Sequence, residues 1–94
     1  MSRWLIQPSS SPSLAVLNAF CESARRGSFV SAARGLAITP SAVSKAVASL
    51  EAQWGVALFR RTGRECGLTP AGEVMYEQVN AVLRQLAQVN RPGF

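Results

Sequence analysis

Residues 28–55, SFVSAARGLAITPSAVSKAVASLEAQWG, read as a helix, a three-residue turn and a second helix. In the second helix Val43, Val47, Leu50 and Trp54 recur at intervals of four, three and four, the spacing of a single buried stripe. The opposite side carries Ser41, Ser44, Lys45, Ala48 and Ser49, which are small, hydroxylic or basic. A chain with this pattern holds a rigid helix on its surface with one face free. That face is too polar for a core and nearly without carboxylates, and it suits the edge of a DNA groove.

Composition narrows the chemistry. Ninety-four residues with 48% hydrophobic content make one small domain. Ten Arg and Lys against five acids give +5, a balance that suits a polyanion. The sequence contains neither His nor Asp, the commonest general base and half of the carboxylate repertoire, so enzymatic activity is not expected. Cys21 and Cys66 have neither zinc-site spacing nor the look of a disulfide framework, and Cys21 reads as a buried free thiol. No metal or cofactor is expected. With no apolar run long enough for a bilayer and no secretory signal, a reducing cytoplasm is the expected location.

The pattern predicts a mainly α fold of four helices and one hairpin. A Ser/Pro-rich breaker at residues 7–13, with Trp4, Leu5 and Ile6 before it, reads as part of a flexible tail over 1–13; docking of the three apolar residues on the domain is the alternative. The first helix spans about Leu14 to Arg26, with Leu14, Leu17, Phe20 or Cys21, and Ala24 on its inner face. Gly27 stops it and Ser28 caps the second helix, whose inner face is Phe29, Ala32, Ala33 and Leu36. Thr39 and Pro40 open the third helix and Gly55 ends it. Leu58-Phe59 and Cys66-Gly67-Leu68 are short strands around the turn Arg61–Arg64. Thr69-Pro70 repeats the cap-then-proline start, opening a fourth helix to about Asn90, and residues 91–94 form a second tail.

Three basic elements should converge: Lys45 on the third helix, Arg60, Arg61 and Arg64 around the hairpin, and Arg34 on the second helix. In a winged arrangement the hairpin reaches phosphates beside the groove that the third helix enters. Pro40, Ser41, Ser44 and Lys45 then lie nearest the bases, and free amides around Ser41 and Ala42 offer a phosphate site. In the fourth helix Met75, Val79, Val82, Leu86 and Val89 follow a 4-3-4-3 heptad seam, widened by Val74 and Leu83. Its distal half exceeds what a monomer can cover and reads as a homodimer contact.

These residues resemble a known family. GSFVSAARGL, TPSAVSKAVASLEAQWGVALFRR and LTPAGE, in this order and spacing, look like the N-terminal DNA-binding domain of LysR-type bacterial transcription regulators. The resemblance implies a winged helix-turn-helix over 14–69, with a three-helix core and two-stranded wing, then a linker helix over 70–90 that pairs with its twin. The implied partner is double-stranded promoter DNA carrying an interrupted inverted repeat. By position, Pro40, Ser41, Ser44 and Lys45 are the base-reading candidates, and Ser28, Ser31, Thr39, Arg61, Arg64 and Thr69 the phosphate contacts; Arg34 and Arg60 join them on charge. The dimer candidates are Met75, Val79, Val82, Leu83, Leu86 and Val89.

The chain departs from the family in four places. Pro40 stands where glutamine is common, Ser41 where proline is common, and Lys45 where arginine is common, which removes a bidentate adenine contact and a planar guanine fork. Ala37 occupies a turn position that needs positive φ. The family's ligand-sensing region does not occur in this sequence, so no effector ligand is expected on it. The competing reading is a winged-helix module for protein interaction or inhibitory dimerisation, without DNA binding of its own.

Overall fold

The computed structural model describes residues 12–62 and 65–89. Of the expected tails over 1–13 and 91–94, residues 1–11 and 91–94 lie outside what is described, as do residues 63, 64 and 90 and the side chains of residues 61–66. Helices α1 (Leu14–Arg26), α2 (Phe29–Leu36) and α3 (Pro40–Trp54) are followed by strands β1 (Phe59–Thr62) and β2 (Glu65–Leu68) and by helix α4 (Pro70–Val89). Each of α1, α2 and α3 packs on the other two, forming the three-helix core of a winged helix-turn-helix.

Local chemistry sets the boundaries. Ser13, placed in the tail by sequence, is instead the N-cap of α1, its Oγ accepting the Val16 N–H at 3.2 Å. Ser28 and Thr39 cap α2 and α3 in the same way, accepting from Ser31 and Ala42 at 3.1 Å each. Gly27 and Gly55 end α1 and α3 with φ of 69° and 70°. Between α2 and α3 the same left-handed turn is made by Ala37, at φ 60° and ψ 40°. It is the one non-glycine residue with positive φ among those described.

The centre of the core is Phe20, fully buried. It meets Trp54, Phe59 and Tyr76 edge to face, with centroids 6.3, 5.8 and 6.4 Å away, so one ring joins α1 to α3, the wing and α4. Val43, Val47 and Leu50 pack beneath α3 at zero exposure, the stripe expected from the spacing, with Trp54 half-buried at its end. Ala32 and Ala33 are buried where α2 approaches its neighbours.

The inner face of α1 differs from expectation. Phe20 and Cys21 are both buried, together with Ala19 and Ser23, whereas Leu14 is 53% exposed. The reason is that α1 is covered on one side by α2 and α3 and on the other by α4, which widens its buried arc beyond one stripe and leaves the first turn overhanging.

The wing is also longer than the apolar pattern indicated. β1 and β2 pair antiparallel as Phe59–Leu68, Arg60–Gly67, Arg61–Cys66 and Thr62–Glu65, leaving only residues 63 and 64 to connect them. The outer pairs are recorded by their backbone register. Leu58 is fully buried but precedes the strand.

Candidate nucleic-acid interface

The first two turns of α3 present Pro40, Ser41 and Lys45 to solvent, with Ser44 half-buried and Ala48 and Ser49 exposed further along. The buried stripe of Val43, Val47 and Leu50 fixes this face outward, because rotating the helix would expose three fully buried side chains. Thr39 uses its hydroxyl oxygen to accept the Ala42 N–H, so of the two amides expected to be free that of Ala42 is taken and that of Ser41 remains.

The acids of α3 and α1 are committed to partners within the chain. Glu51, the one carboxylate of α3, turns its Oε2 to the backbone N–H groups of Leu58 at 2.9 Å and Phe59 at 3.4 Å. It thereby ties the end of α3 to the start of the wing. Glu22 on α1 is held by Arg26, at 2.8 Å from Nε, and by Arg25. Hydrogen bonding from Arg26 and then Arg25 lowers its pKa against the opposing effect of desolvation. Arg26 also reaches the Ser31 carbonyl oxygen at 3.4 Å, joining α1 to α2. The result is an α3 face bearing one ammonium and no carboxylate.

The remaining sequence-derived residues divide into three groups. Ser28 and Ser31 are half-buried at the start of α2, Arg34 and Thr39 are exposed, and Arg60 is exposed on β1. Arg61 lies on β1 opposite Cys66, but its side chain, like all of Arg64, falls outside the described residues. Thr69 is different. Its hydroxyl donates to the Ala57 carbonyl oxygen at 2.6 Å and accepts the Gly72 N–H at 2.9 Å, while its own N–H donates to the Leu58 carbonyl oxygen at 3.0 Å. Both donors are engaged within the chain, where Thr69 fastens the wing and the start of α4 to the segment leaving α3.

Gly72 belongs to the same fastening and was not singled out from sequence. A Cβ there would lie 2.1 Å from the Leu58 carbonyl oxygen, so only glycine lets α4 approach this closely. The signal for it was the Gly of LTPAGE; the signal for Glu51 was its isolation as an acid on α3. Neither pointed to a partner, since both partners are backbone groups distant in sequence.

Along α4 the heptad seam splits. Val79 is in the core, and Met75 and Leu83 pack against it. These three cover the chain's own interior, with Met75 and Leu83 only half-buried. Val82, Leu86 and Val89 are exposed, as is Val74. A groove of about 310 Å³ between α1 and α4 is lined by Asn18, Glu22, Arg25, Tyr76, Asn80 and Arg84, among others, with Cys21 at its base. Burial pushes the Cys21 thiol up to about 11.

This architecture has known counterparts. Residues 14–73 match the family described as bacterial regulatory helix-turn-helix protein, lysR family. The chain belongs to that family. An uncharacterized HTH-type transcriptional regulator in the ibpB-leuC intergenic region of Azotobacter vinelandii is 45% identical over 78 residues, which is 83% of this chain and 54% of that protein. The crystal structure of a CbnR_DBD-DNA complex superposes with a TM-score of 0.77 at 27% identity, covering 82% of this chain and 88% of that one. A BenM_DBD/benA site 1 DNA complex gives 0.78 at 28% identity, covering 82% and 86%. The chain spans about half the length of the Azotobacter relative and about a quarter of another LysR-type relative from Sinorhizobium fredii. Among the described residues no helix is long and apolar enough to cross a membrane.

Proposed function

We propose that this LysR-family domain binds double-stranded DNA in a sequence-dependent way as part of a dimeric, non-enzymatic transcriptional regulator acting in the cytoplasm. The observation that carries the reading is the outward face of α3, which bears Ser41, Ser44 and Lys45 and is locked in orientation by Val43, Val47 and Leu50. In this reading α3 enters the major groove with Pro40, Ser41, Ser44 and Lys45 at the base edges. Ser28, Ser31, Arg34, Thr39, Arg60, Arg61 and Arg64 lie along the backbone, where hydroxyl and guanidinium donors meet phosphate oxygens. Ser28 and Thr39 accept from their helices through oxygen, which leaves each hydroxyl proton available to donate.

Val82, Leu86 and Val89 supply the dimer contact, so the operator is an interrupted inverted repeat whose half-sites lie on one face of the duplex. The test is a gel-shift titration on operator DNA selected by the domain, repeated over a range of salt. Each backbone contact removed should flatten the plot of log affinity against log salt by about 0.9. Arg60→Ala should show this flattening. Wild-type affinity that stays constant between low and moderate salt would rule the reading out.

A further inference from the structure

Leu58 is where three parts of the molecule meet. Its side chain is fully buried, and it is the last residue before β1. Its N–H donates to Glu51 Oε2 of α3 at 2.9 Å, and the Phe59 N–H reaches the same oxygen at 3.4 Å. Its carbonyl oxygen accepts the Thr69 N–H at 3.0 Å, immediately after β2, and Gly72 of α4 packs against that carbonyl. The base of the wing is therefore held on two edges, by a side chain of α3 and by the backbone at the start of α4.

The two edges differ in kind. The bond to Thr69 and the Phe59–Leu68 pair close the hairpin on itself and follow from strand pairing. The bonds to Glu51 come from another element: a carboxylate on the helix whose outer face carries Lys45 holds the strand that carries Arg60 and Arg61. The covalent route between the two is looser. α3 ends at Gly55, with φ of 70°, and residues 56 and 57 are exposed before Leu58 is reached. β1 runs three steps from Phe59 to Thr62, about 10 Å at 3.3 Å per step, so a tilt of about 20° at its base moves its far end by about 3.5 Å. That exceeds the length of a hydrogen bond and is enough to break a phosphate contact.

We propose that Glu51 is a positioning residue: by holding the Leu58 and Phe59 amides it sets the angle of the wing to α3, so that the wing arginines meet the backbone while α3 lies at the bases. The inference rests on the DNA-binding reading above. Glu51 acts through the wing and makes no contact with DNA itself.

Two substitutions separate reach from charge. Glu51→Asp keeps the charge and falls one methylene short, whereas Glu51→Gln loses the charge and keeps an acceptor oxygen at the same reach. Nitroxide labels at Ser49→Cys and Arg60→Cys, both exposed positions, in a Cys66→Ser background, report the distance between α3 and the wing without DNA. Glu51→Asp should broaden that distribution and Glu51→Gln should not, with far-ultraviolet circular dichroism unchanged in both. In the unlabelled proteins, Glu51→Asp should flatten the plot of log affinity against log salt by about 0.9 for each wing arginine lost, with the selected bases unchanged, and Glu51→Gln should keep the wild-type slope. A distance distribution as narrow in Glu51→Asp as in wild type would overturn the proposal, and so would an unchanged salt slope in that variant. An effect of Glu51→Gln equal to or greater than that of Glu51→Asp would assign the residue to charge alone and overturn it equally. Failure of the DNA-binding reading shows separately, as wild-type affinity that ignores salt before any substitution is made, and takes this inference with it.

Discussion

The turn joining α2 to α3 holds an alanine where the backbone calls for glycine, and this gives a stability experiment with an opposite-signed control. Ala37 sits at φ 60°, a conformation that crowds Cβ against the carbonyl oxygen and costs an L-residue about 1–2 kcal/mol. The side chain is exposed, so removing its methyl group gives up little packing. Against the relief stands the greater freedom of glycine in the unfolded chain, roughly 0.4–1 kcal/mol. Ala37→Gly should therefore stabilise the domain by roughly 0.5–1 kcal/mol, raising Tm by about 2–8 °C. Gly27→Ala is the mirror case: φ is 69° and no atom lies within 4 Å of the added Cβ, so the same two effects act with opposite sign and no clash is added. It should lower Tm by a similar amount. Paired thermal and urea melts read both. A lower midpoint for Ala37→Gly, with Gly27→Ala behaving as expected, would show that Ala37 carries no backbone strain.

Three further outcomes are expected. The Ser23 hydroxyl is fully buried with no hydrogen-bond partner, so Ser23→Ala should leave the urea midpoint unchanged or raise it; a loss above about 1 kcal/mol would contradict this. Thr69→Val removes both hydroxyl bonds and should destabilise by about 1–3 kcal/mol while leaving the salt dependence of DNA binding unchanged, which a phosphate contact would not do. Cys21 should resist thiol reagents in the folded state near neutral pH. Its folded pKa of about 11 lies above the ordinary 9.0, so the proton is held more tightly in the folded form. The stability it contributes is complete below pH 9 and is lost as pH rises towards 11. Comparing alkaline melts with Cys21→Ala isolates that component.

The parts of the fold that could be read from residue order are those governed by neighbours in the chain. Thr39-Pro40 announces the start of α3, and the 4-3-4 spacing of Val43, Val47, Leu50 and Trp54 orients it, because both are properties of one helix. The need for positive φ at residue 37 was likewise local. What escaped involves elements that meet only after folding. The burial of Ser23 follows from other helices packing on α1, which the sequence of α1 alone does not reveal for a hydroxyl residue. The outer wing pairs at Arg61 and Thr62 have no apolar signature. Thr69 engages its donors with the Ala57 and Leu58 carbonyls, a partnership between segments twelve residues apart. The α4 seam divides by face, with Val79 in the core and Val82, Leu86 and Val89 exposed, a division set by the elements that α4 packs on and not by spacing along α4.

In the proposed complex the Lys45 side of α3 reads bases while the wing holds the backbone. Selection of bound sites from random DNA, run in parallel with wild type, Lys45→Ala and Arg60→Ala, tests it most directly. The expected result is that Lys45→Ala relaxes the preference at one base pair per half-site, by about 1–3 kcal/mol, and that Arg60→Ala weakens all sites evenly without changing the selected sequence. A selected sequence that is the same for Lys45→Ala as for wild type would contradict the claim.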